Sequence, residues 1–388
     1  MRLAIVVSHP IQYYAPWFWY LAAQGFAGLR VFYLWTGDVQ AKADPGFGIK
    51  VKWDIPLLEG YDHEFVPNAA KRPGSDHRAG LDNPELPRRL AAFRPEAILL
   101  FGYNYRTHYR LLFSRHQTPI IFRGDSHRLV PAQGPRAWLR RQWIKSVYRR
   151  VDAFLPVGQA NREYFRQHGV PENKLFFCPH AVDNERFYGT ATAATAAAAE
   201  WKQTLGIAPG QRVILFAGKF EPVKRPRDLV AAFKQAALKD TTLLLVGNGE
   251  LEADLRRDAA GRPNIVFAPF QNQTQMPRTY AAGDVFVLPS FGGGETWGLA
   301  INEAMCLGRP VIVSSHVGCG PDLVGPNENG LIFAAGDIPA LTAALQEAFA
   351  DPARLAQWGR QSRQIIGHYD YAHATEGLRA AMEFIKTR

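Results

Sequence analysis

Cysteine is scarce in this 388-residue sequence: Cys178, Cys306 and Cys319 are the only three, with no Cys-x-x-Cys spacing. So sparse and odd a set gives neither a disulfide framework nor a zinc site, and it fits a reducing, cytoplasmic setting. Asp-x-Asp is missing, as is any His, Asp and Glu cluster at metal-ligand spacing, so no metal site is expected. No Gly-x-Ser-x-Gly elbow marks a serine nucleophile. Long apolar runs are lacking too, and none approaches the roughly 18 residues of a spanning helix. The apolar stretch 11–27 falls short of a signal peptide: His9 and Pro10 precede it, Pro16 interrupts it, and Gln12 and Gln24 lie inside it. The 34 glycines and 27 prolines follow no period, which excludes collagen-like and low-complexity chains.

What is present suits a globular enzyme. The length, with 47% hydrophobic residues, exceeds one compact core and predicts two domains. Short apolar runs alternate with helical patterns, the signature of parallel sheets covered by helices. Strands are expected at 3–7, 29–34, 97–101, 119–122, 153–157 and 175–177, and again at 212–217, 242–246, 264–267, 285–288 and 310–313. The predicted class is α/β, with two Rossmann-like doubly wound domains at 1–180 and 181–369 facing a cleft. The Ala/Thr-rich stretch 190–199 reads as a helix-permissive linker outside the core. A terminal helix at 370–388 carries Leu378, Met382 and Ile385 at helical spacing and could pack back on the first domain. Charge divides unequally: 25 Lys and Arg face 14 Asp and Glu up to His180, whereas the remainder is nearly neutral. A one-sided basic domain favours an anionic partner: nucleic acid, a phospholipid surface or a phosphorylated acceptor.

The most informative stretch is 285–313, which joins a strand, the loop 289–294 with Gly292, Gly293 and Gly294, then Glu295, Thr296 and a helix holding Glu303. Consecutive glycines before a helix leave backbone N–H groups open and make a seat for a diphosphate. If both glutamates share the helix, eight residues separate them by about 12 Å and about 80°. Glu303 then suits a ribose and Glu295 the sugar beyond the phosphates. Lys219 and Lys224, after the strand ending at Ala217, could neutralise a pyrophosphate leaving group.

These elements resemble the retaining family 4 glycosyltransferases of the GT-B fold. The family's Glu-x7-Glu element matches Glu295 to Glu303, within Pro289, Ser290, Gly298, Ala304, Gly308 and Pro310; Gly218, Lys219 and Lys224 match its diphosphate-contacting basic pair. Gly247 and Asn248 resemble the turn lining the base pocket, and Val182, Asp183 and Phe187 the interdomain segment. The resemblance implies a metal-independent hexosyltransferase with no cofactor. Its donor would be a UDP-sugar, or alternatively a GDP-sugar, and its acceptor a saccharide or lipid-linked molecule in bacterial cell-surface glycan assembly. Rival readings are an epimerase or phosphorylase on the same fold, or a non-enzymatic basic module binding membrane or nucleic acid.

The first half departs from that family. Where relatives have a glycine-rich turn, this chain reads Ser8, His9, Pro10, Ile11, Gln12, Tyr13, Tyr14. A phosphate nest is not expected there, since proline lacks an N–H. His9, Gln12, Tyr13 and Tyr14 suit a hydroxylated acceptor instead. After the strand 119–122, either Asp125 or His127 could receive or relay the acceptor proton. Segment 136–150 carries Arg136, Arg140, Arg141, Lys145, Arg149 and Arg150 beside Trp138, Leu139, Trp143, Ile144, Val147 and Tyr148. It reads as an amphipathic helix with all its apolar residues but Trp138 on one half. Such a helix suits an anionic membrane surface and would make the protein peripheral at the inner face of the cell membrane, with no nucleic acid expected.

Overall fold

A computed structural model describes residues 2–25, 28–37, 42–44, 49–114, 117–131 and 133–387. The strands in chain order are β1 (Leu3–Val7), β2 (Leu29–Tyr33), β3 (Lys42–Asp44), β4 (Ile49–Val51), β5 (His63–Phe65), β6 (Ala97–Phe101), β7 (Ile120–Arg123) and β8 (Ala153–Leu155). They continue with β9 (Arg212–Ala217), β10 (Thr241–Val246), β11 (Ile265–Ala268), β12 (Val285–Leu288), β13 (Val311–Ser314) and β14 (Gly330–Phe333). Two six-stranded sheets form, ordered β5-β2-β1-β6-β7-β8 and β11-β10-β9-β12-β13-β14, with a separate β3-β4 pair. The strand pairings of both sheets are parallel. β1, β6, β10, β12 and β13 are buried along their whole length, as parallel strands covered by helices on both faces must be.

The chain divides into two compact units. One comprises Met1–Lys42, Ile55–Pro179 and Tyr371–Arg388, and the other Ala43–Asp54 and His180–Asp370. In the first, Trp17 Nε1–H donates to Thr375 Oγ1 at 3.2 Å, fixing the terminal helix Tyr371–Lys386, whose Leu378, Met382 and Ile385 are buried. In the second, Asn272 Nδ2–H donates to Lys52 O at 2.6 Å, and the Thr274 N–H to Asp54 at 3.1 Å. A single break near residue 180 therefore misplaces residues 43–54.

Several expectations need correction. Residues 175–177 form no strand; Leu175 makes an isolated bridge to Phe154. Phe176 and Cys178 donate to Phe154 O and Pro156 O, but Pro156 has no N–H with which to return a bond. The stretch 190–199 is no linker, because it lies inside the helix Asn184–Thr204 with Ala194 and Ala198 buried. Asp183 caps that helix by accepting the Arg186 N–H at 3.1 Å, and alanine sustains it as the best helix former. β5, with His63 and Glu64, lacked an apolar run. β14 opens on Gly330, where a Cβ would overlap Val311 O. The helix Pro135–Tyr148 buries Ile144, Val147 and Tyr148, but Leu139 and Trp143, expected on its apolar half, are 60% and 42% exposed and Trp138 is 61% exposed.

Candidate active site

In the second unit the chain runs outward from β9 through β10 to β11, then returns to β12 on the other side of β9. Loops leaving neighbouring strands that wind in opposite directions diverge and leave a crevice at their carboxyl ends. Here those are the loops after β9 and β12. They meet directly: Val223 O accepts the Phe291 N–H at 2.8 Å, Lys224 Nζ pairs with Glu295 Oε2, and a Cβ at Gly294 would lie 2.8 Å from Val223 Cγ2. Ser290 Oγ–H also donates to Glu295 Oε2 at 2.8 Å, and Glu295 is 8% exposed. Lys219, half-buried, lies on the same β9 loop as Lys224.

Glu295 and Glu303 do not share a helix. The helix is Leu299–Cys306, and Glu295 and Thr296 belong to the loop before it. Gly298 breaks the path: it takes φ 101°, a left-handed conformation, and its carbonyl accepts the first helical bond from Ile301 at 2.8 Å. Trp297 Nε1–H donates to the buried Asn302 Oδ1 at 2.8 Å and ties this loop to the helix start. Nor are all the glycine N–H groups open, because that of Gly292 donates to His316 Nδ1 at 3.1 Å. Gly292 and Gly293 do face open space, since a Cβ at either would meet nothing within 4 Å.

Glu303 is 1% exposed and accepts a 2.6 Å bond from the Tyr280 hydroxyl on Oε2, while its buried Oε1 has no partner among the described residues. Burial pushes its pKa up to about 7, opposed by the Tyr280 bond and by the charge of Arg186. A buried carboxylate with one oxygen unsatisfied is expensive unless a ligand donor completes it. Gly247 and Gly249 let the β10 loop press on the β9 loop, since a Cβ at Gly247 would overlap Gly218 O and one at Gly249 would crowd Phe220. Asn248 bridges to the next loop: its Oδ1 accepts the Phe270 N–H at 2.8 Å and its Nδ2–H donates to Glu252 at 3.0 Å. Tyr280, Ser290, Asn302, Ser314 and His316 were not singled out from the sequence. Ser290 was named with the matched motif, and Asn302 stands at one of the unspecified positions between Glu295 and Glu303.

In the first unit the corresponding switch lies between β1 and β6. Residues 11–14 form a turn in which Ile11 O accepts the N–H groups of Tyr14 and Ala15, leading into the helix Ala15–Ala23. His9 packs toward the β2 side, its ring 5.8 Å from that of Trp35. Gln12 sits in the turn, and Tyr13 O accepts from Tyr371 Oη at 3.4 Å. Tyr14 faces the other way, its ring 4.8 Å from Phe101, and burial together with the charge of Asp125 raises its hydroxyl pKa. Tyr14 and Asp125 are thus brought together. His127 Nδ1 accepts the Leu129 N–H at 3.2 Å, so the neutral ring carries its proton on Nε2. Gly102, Asn104, Gly124, Asp125 and Ser126 help line a cavity of about 70 Å³. Unforeseen was Arg123, which ends β7 buried. Its guanidinium donates to Cys178 O at 2.7 Å and Pro179 O at 3.0 Å, beneath Trp17.

Comparison with known proteins agrees with this architecture. Residues 198–365 match the family of group 1 glycosyl transferases, and residues 54–181 match the glycosyl transferase 4-like domain. The chain belongs to the family 4 glycosyltransferases of the GT-B fold and is a glycosyltransferase. It is 26% identical over 361 residues to a D-inositol 3-phosphate glycosyltransferase of Rhodococcus opacus, covering 84% of this chain and 77% of that protein. Over 234 residues it is 32% identical to a GDP-mannose-dependent monoacylated alpha-(1-6)-phosphatidylinositol monomannoside mannosyltransferase of Corynebacterium glutamicum, covering 58% of this chain and 60% of the relative. The fold is shared with Anabaena HepE, solved with UDP and glucose, at a TM-score of 0.74 and 17% identity over 99% of both chains. WaaG, a glycosyltransferase involved in lipopolysaccharide biosynthesis, has a TM-score of 0.67 at 16% identity over 98% of both chains.

Proposed function

We propose that the chain is a retaining glycosyltransferase that takes its sugar from a UDP-sugar, or alternatively a GDP-sugar, and delivers it to a lipid-linked or saccharide acceptor in cell-surface glycan or glycolipid assembly. The observation that carries the reading is the meeting of Lys224 and Glu295 at the β9/β12 switch, together with Glu303 buried with an unsatisfied oxygen. Glu303 accepts from the donor ribose. Lys219 and Lys224 neutralise the diphosphate, the task a divalent ion performs elsewhere, so no metal or other cofactor is required. Glu295 leaves its pairing with Lys224 to hold a sugar hydroxyl. The bond from the anomeric carbon to the diphosphate breaks with its electron pair going to the phosphate oxygen. The acceptor oxygen bonds that carbon on the same face, and the acceptor proton passes to the leaving phosphate or to Asp125 or His127.

The basic first unit, with its Arg-rich helix Pro135–Tyr148, supports an anionic partner. Trp138, Leu139 and Trp143 stand exposed on that helix among Arg136, Arg140, Arg149 and Arg150, with the ring of Phe113 stacked on that of Trp143 at 5.8 Å. Interfacial tryptophans beside arginines suit the headgroup layer of an anionic bilayer, so the enzyme works at the cytoplasmic membrane face. The names of the relatives fit, since phosphatidylinositol and lipopolysaccharide products carry lipid. No helix among the described residues is long and apolar enough to cross a membrane. A thermal-shift screen against UDP, GDP, ADP and dTDP tests the donor: one diphosphate raises the melting temperature, and no shift with any of them refutes the reading.

A further inference from the structure

Three glycines in a row make a loop that resists ordering, because glycine gives up more backbone freedom than any other residue. In the second unit this loop is nonetheless held from two sides. On the β9 side, Val223 O accepts the Phe291 N–H and Lys224 pairs with Glu295. On the β13 side, the Ser314 hydroxyl donates to Ser290 O, His316 Nδ1 accepts the Gly292 N–H at 3.1 Å, and the Gly318 N–H donates to Glu295 O at 3.2 Å. Of these bonds, the one from His316 reaches the triglycine itself.

A backbone N–H can only donate, so Nδ1 must offer a lone pair and the neutral ring keeps its proton on Nε2. The His316 ring centroid lies 5.0 Å from that of Phe291, and the Arg225 guanidinium lies 5.5 Å from the same Phe291 ring. The loops after β9, β12 and β13 therefore form one connected set of contacts. Beyond it, Gly292 and Gly293 look onto open space.

We infer that His316 is a positioning residue for the donor diphosphate: by accepting the Gly292 N–H it holds the glycine loop in the shape the donor meets. The inference rests on the reading of this loop as the diphosphate seat. A loop already ordered spares the ligand the entropy of ordering it, so losing the strap weakens binding without touching a reacting atom.

Calorimetric titration of the full chain with UDP, and with GDP if UDP gives no heat, tests this in the wild type, His316→Ala and His316→Asn. The asparagine amide oxygen stands where Nδ1 stood and can accept the same N–H. His316→Ala should bind about three- to tenfold more weakly, the range for one lost hydrogen bond, and His316→Asn should recover to within about twofold. Unchanged affinity in His316→Ala overturns the inference and leaves the reading of the site standing. Equal loss in both variants also overturns it, because ring packing on Phe291 would then be what matters. A wild type that binds neither nucleotide refutes the site on which the inference rests.

Discussion

Glu303 should make the unliganded protein less stable as pH rises, and Glu303→Gln should remove that dependence. Burial raises the carboxyl pKa from 4.5 to about 7. Below the lower value it is protonated in folded and unfolded chains alike and makes no difference between them. Between the two values only the folded chain keeps the proton, so folding takes up protons and stability declines with rising pH. Above about 7 the whole difference has been lost, which at about 1.4 kcal/mol per tenfold in proton affinity amounts to about 3 kcal/mol. Other groups titrate in the same window, so the quantity to read is the wild type minus Glu303→Gln. The glutamine keeps a carbonyl oxygen for the Tyr280 hydroxyl and matches the glutamate in volume. Urea unfolding at half-unit steps from pH 4 to 8 should give two curves that converge at the acid end and separate by about 3 kcal/mol at pH 8, with the variant more stable. Parallel curves would refute the argument, because they would mean that Glu303 ionises in the fold as it does in water.

The remaining predictions concern the two units separately. Glu295→Ala should lower turnover by about 1.5 to 3 kcal/mol of transition-state stabilisation, read from steady-state kinetics with a confirmed donor. Lys224→Ala combined with it should cost less than the sum of the single losses, because the two side chains pair; additive losses in a double-mutant cycle would count against the pairing. Asp125→Asn and His127→Ala should leave calorimetric donor affinity intact while at least one abolishes transfer, and undiminished transfer in both removes this loop from the chemistry. Flotation with anionic vesicles should be lost when the exposed Arg136, Arg140 and Arg149 become Glu, each basic residue being worth about 1 kcal/mol, and should weaken with salt. Equal recovery on neutral vesicles would make the helix Pro135–Tyr148 a plain cover for the sheet.

The parallel sheets were legible because β1, β6, β9, β10, β12 and β13 are apolar runs bounded by turn residues, which is what burial on both faces demands. β5 and β14 were not, since one carries His63 and Glu64 and the other begins on a glycine required by close packing rather than by a turn. Of the site, the residues adjacent in sequence could be read: the glycine loop, Glu295, Glu303 and the two lysines. Their geometry could not, because Gly298 in a left-handed conformation separates Glu295 from the helix, and nothing in the spacing distinguishes that from a helix begun earlier. Tyr280 and His316 escaped notice for a simpler reason. Each acts across more than twenty residues of chain, Tyr280 joining two helices and His316 two loops that only the order of the strands brings together. Similarly, the alanine stretch 190–199 is low in complexity yet structural, because small side chains let Ala194 and Ala198 bury in a close helix contact.

The most direct test of the central claim is nucleoside diphosphate release from a panel of UDP- and GDP-sugars, with bacterial lipid extract as acceptor, by the full chain and by the Lys224→Ala, Glu295→Ala double variant. At least one donor should be consumed in an extract-dependent manner by the wild type and at least a hundredfold more slowly by the variant. Consumption of none, or equal consumption by both proteins, would contradict glycosyl transfer at the β9/β12 site.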